Sequence, residues 1–209
     1  MGYALGRFHG TEFSSFDTNL YSSYFEFLKT QNIAAPILDK WIEVLNSSNG
    51  GTKKYIFGDC SIENIQYNAI TKGNGSLDSL CMLDPVLIQG GDRTEDLASV
   101  LTTLARGKLI KQLQKNSEGS LRETLTQTLR YIVTQAGKEL VDMYIRLVPD
   151  HLEQYETYLL DFFLGSMLLI QASYLKSNSS SDTALRDLLT VLGEQFLSNQ
   201  PFADVYQIA

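Results

Sequence analysis

The run YLLDFFLGSMLLIQASYL, residues 158–175, most limits the architectures open to this chain. A helix that is apolar nearly all round must be buried against other elements rather than laid half in water. A membrane span would need about twenty largely unbroken apolar residues. This run is shorter and is interrupted by Asp161, Gln171 and serines, so it reads as a buried core helix. The remaining residues must then supply its cover.

They are numerous enough to do so. A chain of 209 residues can bury a full core, and a single domain over 1–209 is the expectation. With 44% hydrophobic and 20% charged residues it sits away from disordered, collagen-like and coiled-coil compositions. The 17 Lys and Arg against 24 Asp and Glu give a net charge of -7, which argues against broad binding to nucleic acid or to an anionic membrane. Cys60 and Cys81 fit no metal-ligand spacing and read as reduced intracellular thiols. The opening MGYALGRFHGTEF has no basic segment followed by a long apolar one, so a cytoplasmic location is expected.

Helical spacing predicts a short helix over residues 3–13, a second in DTNLYSSYFEFLKTQ and a third after Pro36 that ends in NSSNGG. Between residues 53 and 87 the period changes. KKYIF, NIQYNAI and LCMLDPVLI read as short strands, and Asn74-Gly75 is a strong turn signal. A hairpin pairing Ile65–Ile70 with Ser79–Leu83 is predicted. From Asp92 onward the chain returns to helices, over 92–113, 120–148, 150–176 and 183–197, the last two separated by the polar linker SNSSSD. The fold class is mainly α with a small β-hairpin insertion (α+β).

The hairpin brings three oxygen-bearing side chains toward one rim. Asp59 follows the first strand, Asn64 starts the second and Asp84 ends the third. Two carboxylates and an amide oxygen make a hard donor set that suits Mg²⁺ rather than zinc. The spacing Asp-x-x-x-x-Asn matches that of the kinase catalytic loop, in which the Asp accepts a hydroxyl proton and the Asn holds a metal. Asp92 reads as the cap of the helix it opens. Asp142, Glu153, Glu156 and Asp161 read either as the lining of a cleft for a cationic substrate or as a solvated face.

In this order, FGDCSIEN, LDP and GDRTEDLA resemble the C-terminal lobe of the aminoglycoside phosphotransferase and choline kinase superfamily. ALGRFHG is similar to the helix that precedes the catalytic loop in such kinases, and DFFLGSMLL to their closing helical segment. The resemblance spans about the whole chain and implies a protein kinase-like C-terminal lobe without the N-terminal nucleotide lobe, its catalytic loop and metal hairpin at 53–92. It implies Asp59 as the catalytic base and Asn64 and Asp84 as metal ligands. It makes His9 and Asp96 structural braces of the catalytic loop. Mg²⁺ and ATP are the implied cofactors, and a small molecule bearing a hydroxyl is the implied substrate. Phe57 stands where the family has His. The alternative implied is a catalytically inactive lobe that serves as a binding, regulatory or dimerising module, its partner a second copy or a separate N-terminal lobe.

Overall fold

The computed structural model describes residues 20–47, 54–56, 60, 64–67, 80–82, 89–115, 120–145, 154–176 and 179–205. Along these the chain forms α1 (Leu20–Thr30), α2 (Ala35–Ser47), β1 (Lys54–Ile56), β2 (Ile65–Tyr67), β3 (Leu80–Met82) and β4 (Gln89–Gly91). There follow α3 (Arg93–Lys115), α4 (Leu121–Arg130), a π-helical stretch (Tyr131–Ala136), α5 (Gly137–Ile145), α6 (Gln154–Tyr174), α7 (Ser180–Asn199) and α8 (Pro201–Val205). The described residues are mainly helical, as the sequence predicts. The helix expected over 3–13 lies outside them.

Helix α6 takes up the apolar run, and Leu159, Phe162, Phe163, Leu164 and Leu168 on it are fully buried. Its cover comes chiefly from α7 and α3, with α1, α2 and α8 closing the rest. Aromatic rings fill the side toward α1 and α2. Phe162 lies 5.4 Å from both Phe25 and Trp41, and Phe163 lies 5.4 Å from Tyr24. Such tilted and edge-on contacts add about 0.5–1.5 kcal/mol each beyond area burial. The indole N–H of Trp41 donates to the carbonyl of Leu197 at 3.0 Å, so the buried ring leaves its polar atom satisfied. Among the described residues no helix is long and apolar enough to cross a membrane.

Helices α6 and α7 approach closely because each has a glycine at the crossing. A Cβ on Gly165 would sit 2.9 Å from the carbonyl oxygen of Gly193, and one on Gly193 would sit 2.9 Å from that of Gly165. Backbone cannot yield as a side chain can, so no larger residue fits at this separation.

The four strands form two antiparallel ladders. In one, Ile65 faces Met82, Gln66 faces Cys81 and Tyr67 faces Leu80, a pairing of the two segments of the predicted hairpin. In the other, Lys54 faces Gly91, Tyr55 faces Gly90 and Ile56 faces Gln89. This second pairing corrects the sequence reading, in which KKYIF had no partner and the helical region began straight after the third strand. Gln-Gly-Gly has little intrinsic β preference, and only its non-local partner makes it a strand.

Helix boundaries moved for local reasons. The polar linker SNSSSD contributes the start of α7, because the Ser179 hydroxyl oxygen accepts from the Asp182 N–H at 3.1 Å and its O–H donates to the Asp182 carboxylate at 2.8 Å. That reciprocal capping starts the helix at Ser180 instead of Thr183. The single helix expected over 120–148 is interrupted by the π-helical stretch, and α8 was not anticipated. Between α7 and α8, Gln200 adopts a left-handed φ of 50°. Its side-chain oxygen accepts from Lys40 Nζ at 2.6 Å, a tether that holds this disfavoured conformation.

Two glycine substitutions should act in opposite directions. Gly193→Ala must push α6 and α7 apart, and overpacking of this kind costs about 1–3 kcal/mol. Gly107, in the middle of α3, has no atom of the described residues within 4 Å of where a Cβ would be. Gly107→Ala should therefore stabilise by roughly 0.5–1 kcal/mol through helix propensity alone. Thermal unfolding of the two variants beside the natural chain checks both signs.

Candidate functional site

The two ladders share a plain topological consequence. The connection 57–64 runs from Ile56 to Ile65, and the connection 83–88 runs from Met82 to Gln89. Ile56 pairs with Gln89 and Ile65 pairs with Met82. Both connections therefore link the same two residue pairs, and each is anchored at both ends beside the other. Asp59 belongs to the first and Asp84 to the second; both lie outside the described residues, as does His9. Asn64, the described member of the proposed trio, is half-buried immediately before β2. Ile56 and Cys60 are fully buried. Among the described residues no group of three or more His, Cys, Asp and Glu could hold a metal ion.

Strand β4 feeds directly into α3, and α3 packs against β1, the strand from which the first connection leaves. Asp92 caps it, accepting from the Thr94 N–H at 2.9 Å and from the Thr94 hydroxyl. Desolvation pushes the Asp92 carboxyl up to about 6; the Glu156 charge adds to this, while the Thr94 hydrogen bonds and Arg93 oppose it. Arg93 is 1% exposed and forms a bidentate pair with Glu156, 2.6 Å from Nε to Oε1 and 2.7 Å from Nη2 to Oε2. Its guanidinium also lies 5.8 Å from the centre of the Tyr144 ring. Burial opposes the charge on Arg93, yet the hydrogen bonds and charge of Glu156 outweigh it and hold the pKa above the ordinary arginine value.

Glu95 and Asp96 complete the turn, and both are buried. The Tyr24 hydroxyl donates to Glu95 Oε1 at 2.8 Å, which ties α1 to α3. The second oxygen, Oε2, is buried with no hydrogen-bond partner among the described residues. Desolvation pushes the Glu95 carboxyl up to about 8, with Tyr24 pulling it down and the Asp96 and Asp92 charges pushing it further up. A neutral carboxyl leaves a buried, unpartnered oxygen at far lower cost than a carboxylate does. Asp96 has no exposure at all. The loop it is expected to brace lies, apart from Cys60 and Asn64, outside the described residues.

The cleft-lining reading of the later acids is corrected at two positions. Glu156 is the buried partner of Arg93. Asp161 is fully buried on α6 and accepts from the backbone N–H groups of Phe202 at 3.0 Å and Ala203 at 2.9 Å, so it holds the start of α8. Burial raises the Asp161 pKa well above that of an ordinary Asp, with the two backbone donors opposing the shift. Asp142 is partly exposed, and Glu153 lies outside the described residues.

Arg93, Glu95 and Tyr24 were not singled out from the sequence. A mixed run of charges at a helix start ordinarily faces solvent and favours the helix dipole. The available signal was the apolar Leu-Ala that follows the run at once, but nothing local names Glu156 or Tyr24 as partners 63 and 71 residues away. No family model, curated protein or solved structure matches the chain.

Two outcomes follow from the charges in this turn. Glu156→Ala or Arg93→Ala leaves an uncompensated buried ion and should cost about 3–5 kcal/mol, whereas Arg93→Met combined with Glu156→Leu should cost much less. Urea unfolding of the single and double variants measures that coupling. The raised Glu95 pKa makes the folded state hold a proton that the unfolded chain releases between the ordinary carboxyl range and about 8. Stability should therefore fall as pH rises through that window and level off above it. Asp92 and Asp161 act with the same sign, so Glu95→Gln should shallow the decline without abolishing it. Unfolding free energies across the pH series, natural chain against variant, test this; equal slopes contradict it.

Proposed function

We propose that this chain is a phosphotransferase-like protein, built as the C-terminal lobe of an aminoglycoside phosphotransferase or choline kinase-like enzyme, which acts on a hydroxyl of a small molecule. The reading rests on one observation above all. The connections that carry Asp59 and Asp84 are strung between the same two residue pairs, Ile56 with Gln89 and Ile65 with Met82, with Asn64 at the edge of one pair. A base and metal ligands drawn from distant stretches of sequence need such common anchoring to act on one substrate. The buried first turn of α3, rigidly tied to α6 by Arg93 and Glu156, gives that anchoring a firm base.

In this reading Asp59 orients the acceptor hydroxyl and takes its proton. Asn64 and Asp84 offer the oxygen donors that suit Mg²⁺, and the half-buried position of Asn64 just before β2 supports this reading. Bound Mg²⁺ with ATP would supply the phosphoryl group and neutralise the charge that develops on it. Asp96 and His9 serve as braces of the loop. Phe57, in place of the family's His, favours a second reading, a module of this fold that binds without catalysing.

Thermal unfolding with Mg²⁺ and ATP tests the nucleotide part directly. At ligand about a hundred-fold above Kd the natural chain should gain roughly 2.7 kcal/mol. For a chain of this size that is about 5–10 °C in Tm. Asp84→Asn should lose most of the gain, and Asp59→Asn should keep it. An unmoved Tm in the natural chain would exclude nucleotide binding, and a gain unaffected by Asp84→Asn would remove Asp84 from the metal site.

A further inference from the structure

A recess of about 370 Å³ opens on the second half of α3, away from the turn described above. Gly107, on its wall, is 14 residues beyond Arg93, which at about 1.5 Å per residue is roughly 21 Å along the helix. Among the described residues its lining includes Leu104, Gly107, Lys108, Ile110, Lys111 and Tyr131. On a helix, positions three and four apart share a face, so Leu104, Ile110 and Lys111 surround Gly107 and leave it as the floor. Tyr131 of the π-helical stretch forms a wall, its ring centre 4.9 Å from Lys108 Nζ.

Three properties of this recess have no structural explanation elsewhere in the fold. Glycine in a helix interior destabilises, and at Gly165 and Gly193 close backbone approach accounts for it. At Gly107 nothing of the described residues approaches, so among them its smallness is tied to the recess that it leaves open. Charge is the second property. In a chain of net charge -7, no Asp or Glu occurs between Asp96 and Glu118, while Arg106, Lys108, Lys111 and Lys115 all do. Only Lys115 falls in the last turn, where the helix dipole favours a cation. Arg106, Lys108 and Lys111 lie ahead of that turn and line the recess instead. The third is size, since about 370 Å³ falls within the range of small-molecule sites, about 300–1,000 Å³.

We infer that this recess is a binding site for a small organic phosphate monoester, its dianionic head on Lys108 and Lys111 and its apolar part over Gly107 against Leu104 and Ile110. Lysines act as point charges toward phosphate, and the apolar floor gives the ester group a reason to prefer the recess over water. The site does not depend on the phosphotransferase reading.

Isothermal titration of the full chain with phenyl phosphate, and separately with inorganic phosphate and phenol, tests the inference. Saturable binding of phenyl phosphate is expected, tighter than that of either fragment and weakened by salt. Lys108→Gln combined with Lys111→Gln should raise Kd by about tenfold or more, since two charge-assisted contacts are lost. Gly107→Leu, which favours the helix while filling the floor, should abolish binding, with unchanged far-ultraviolet circular dichroism showing that the fold persists. Absence of saturable binding to the natural chain at millimolar phenyl phosphate overturns the site, as does a Kd indifferent to these variants. Inorganic phosphate binding as tightly as the ester overturns the assignment of the apolar floor.

Discussion

Helix α6 is apolar nearly all round along residues 159–168, and the arrangement of the other helices answers that constraint. Leu159 through Leu168 are enclosed by α7 and α3 on two sides and by the aromatic rings of α1 and α2 on a third. The closeness of α7 depends on Gly165 and Gly193, because a methyl group at either position would meet the opposite carbonyl oxygen. Several polar groups drawn into this core by helix packing are satisfied individually. Trp41 reaches Leu197, Asp161 reaches the start of α8, and Ser166 donates to the Phe162 carbonyl one turn back.

The charged first turn of α3 enters the same core from its polar end. Arg93 and Glu156 tie it to α6, and Tyr24 with Glu95 ties it to α1. A buried ion pair is weak evidence of stability, since burying it costs about what its attraction returns. What such a pair does supply is position: a bidentate fork accepts one geometry and penalises all others. The turn lies directly after β4, whose pairing with β1 anchors the connection that carries Asp59. The polar investment therefore lies where the proposed chemistry requires a rigid support.

Much of this was legible in advance. The helices over residues 20–30, 35–47, 93–115 and 154–174 follow apolar spacing and Pro or Gly punctuation, and the pairing of the two hairpin segments followed from β-like runs on either side of a turn signal. The failures have particular causes. Strand β4 is two glycines and a glutamine, so only Lys54–Ile56 makes it a strand. The start of α7 lay inside a serine-rich run whose capping geometry resembles a linker in composition. Glu156 and Asp161 read as cleft-lining or solvated acids because an acid on a helix is ordinarily solvated, and nothing in their neighbours announces a partner dozens of residues away.

By itself the sequence determined that the chain is mainly helical, that the apolar run from residue 158 forms a largely buried helix, and that Asp59, Asn64 and Asp84 stand at the margins of β-like segments. These properties follow from the period and spacing of neighbours, which act over a few residues. Tertiary structure alone decided which acids are buried, which strand answers β1, and that α3 leaves an open basic recess around Gly107. Burial, desolvation and ion pairing depend on which distant segments pack together, and local spacing carries little record of that choice.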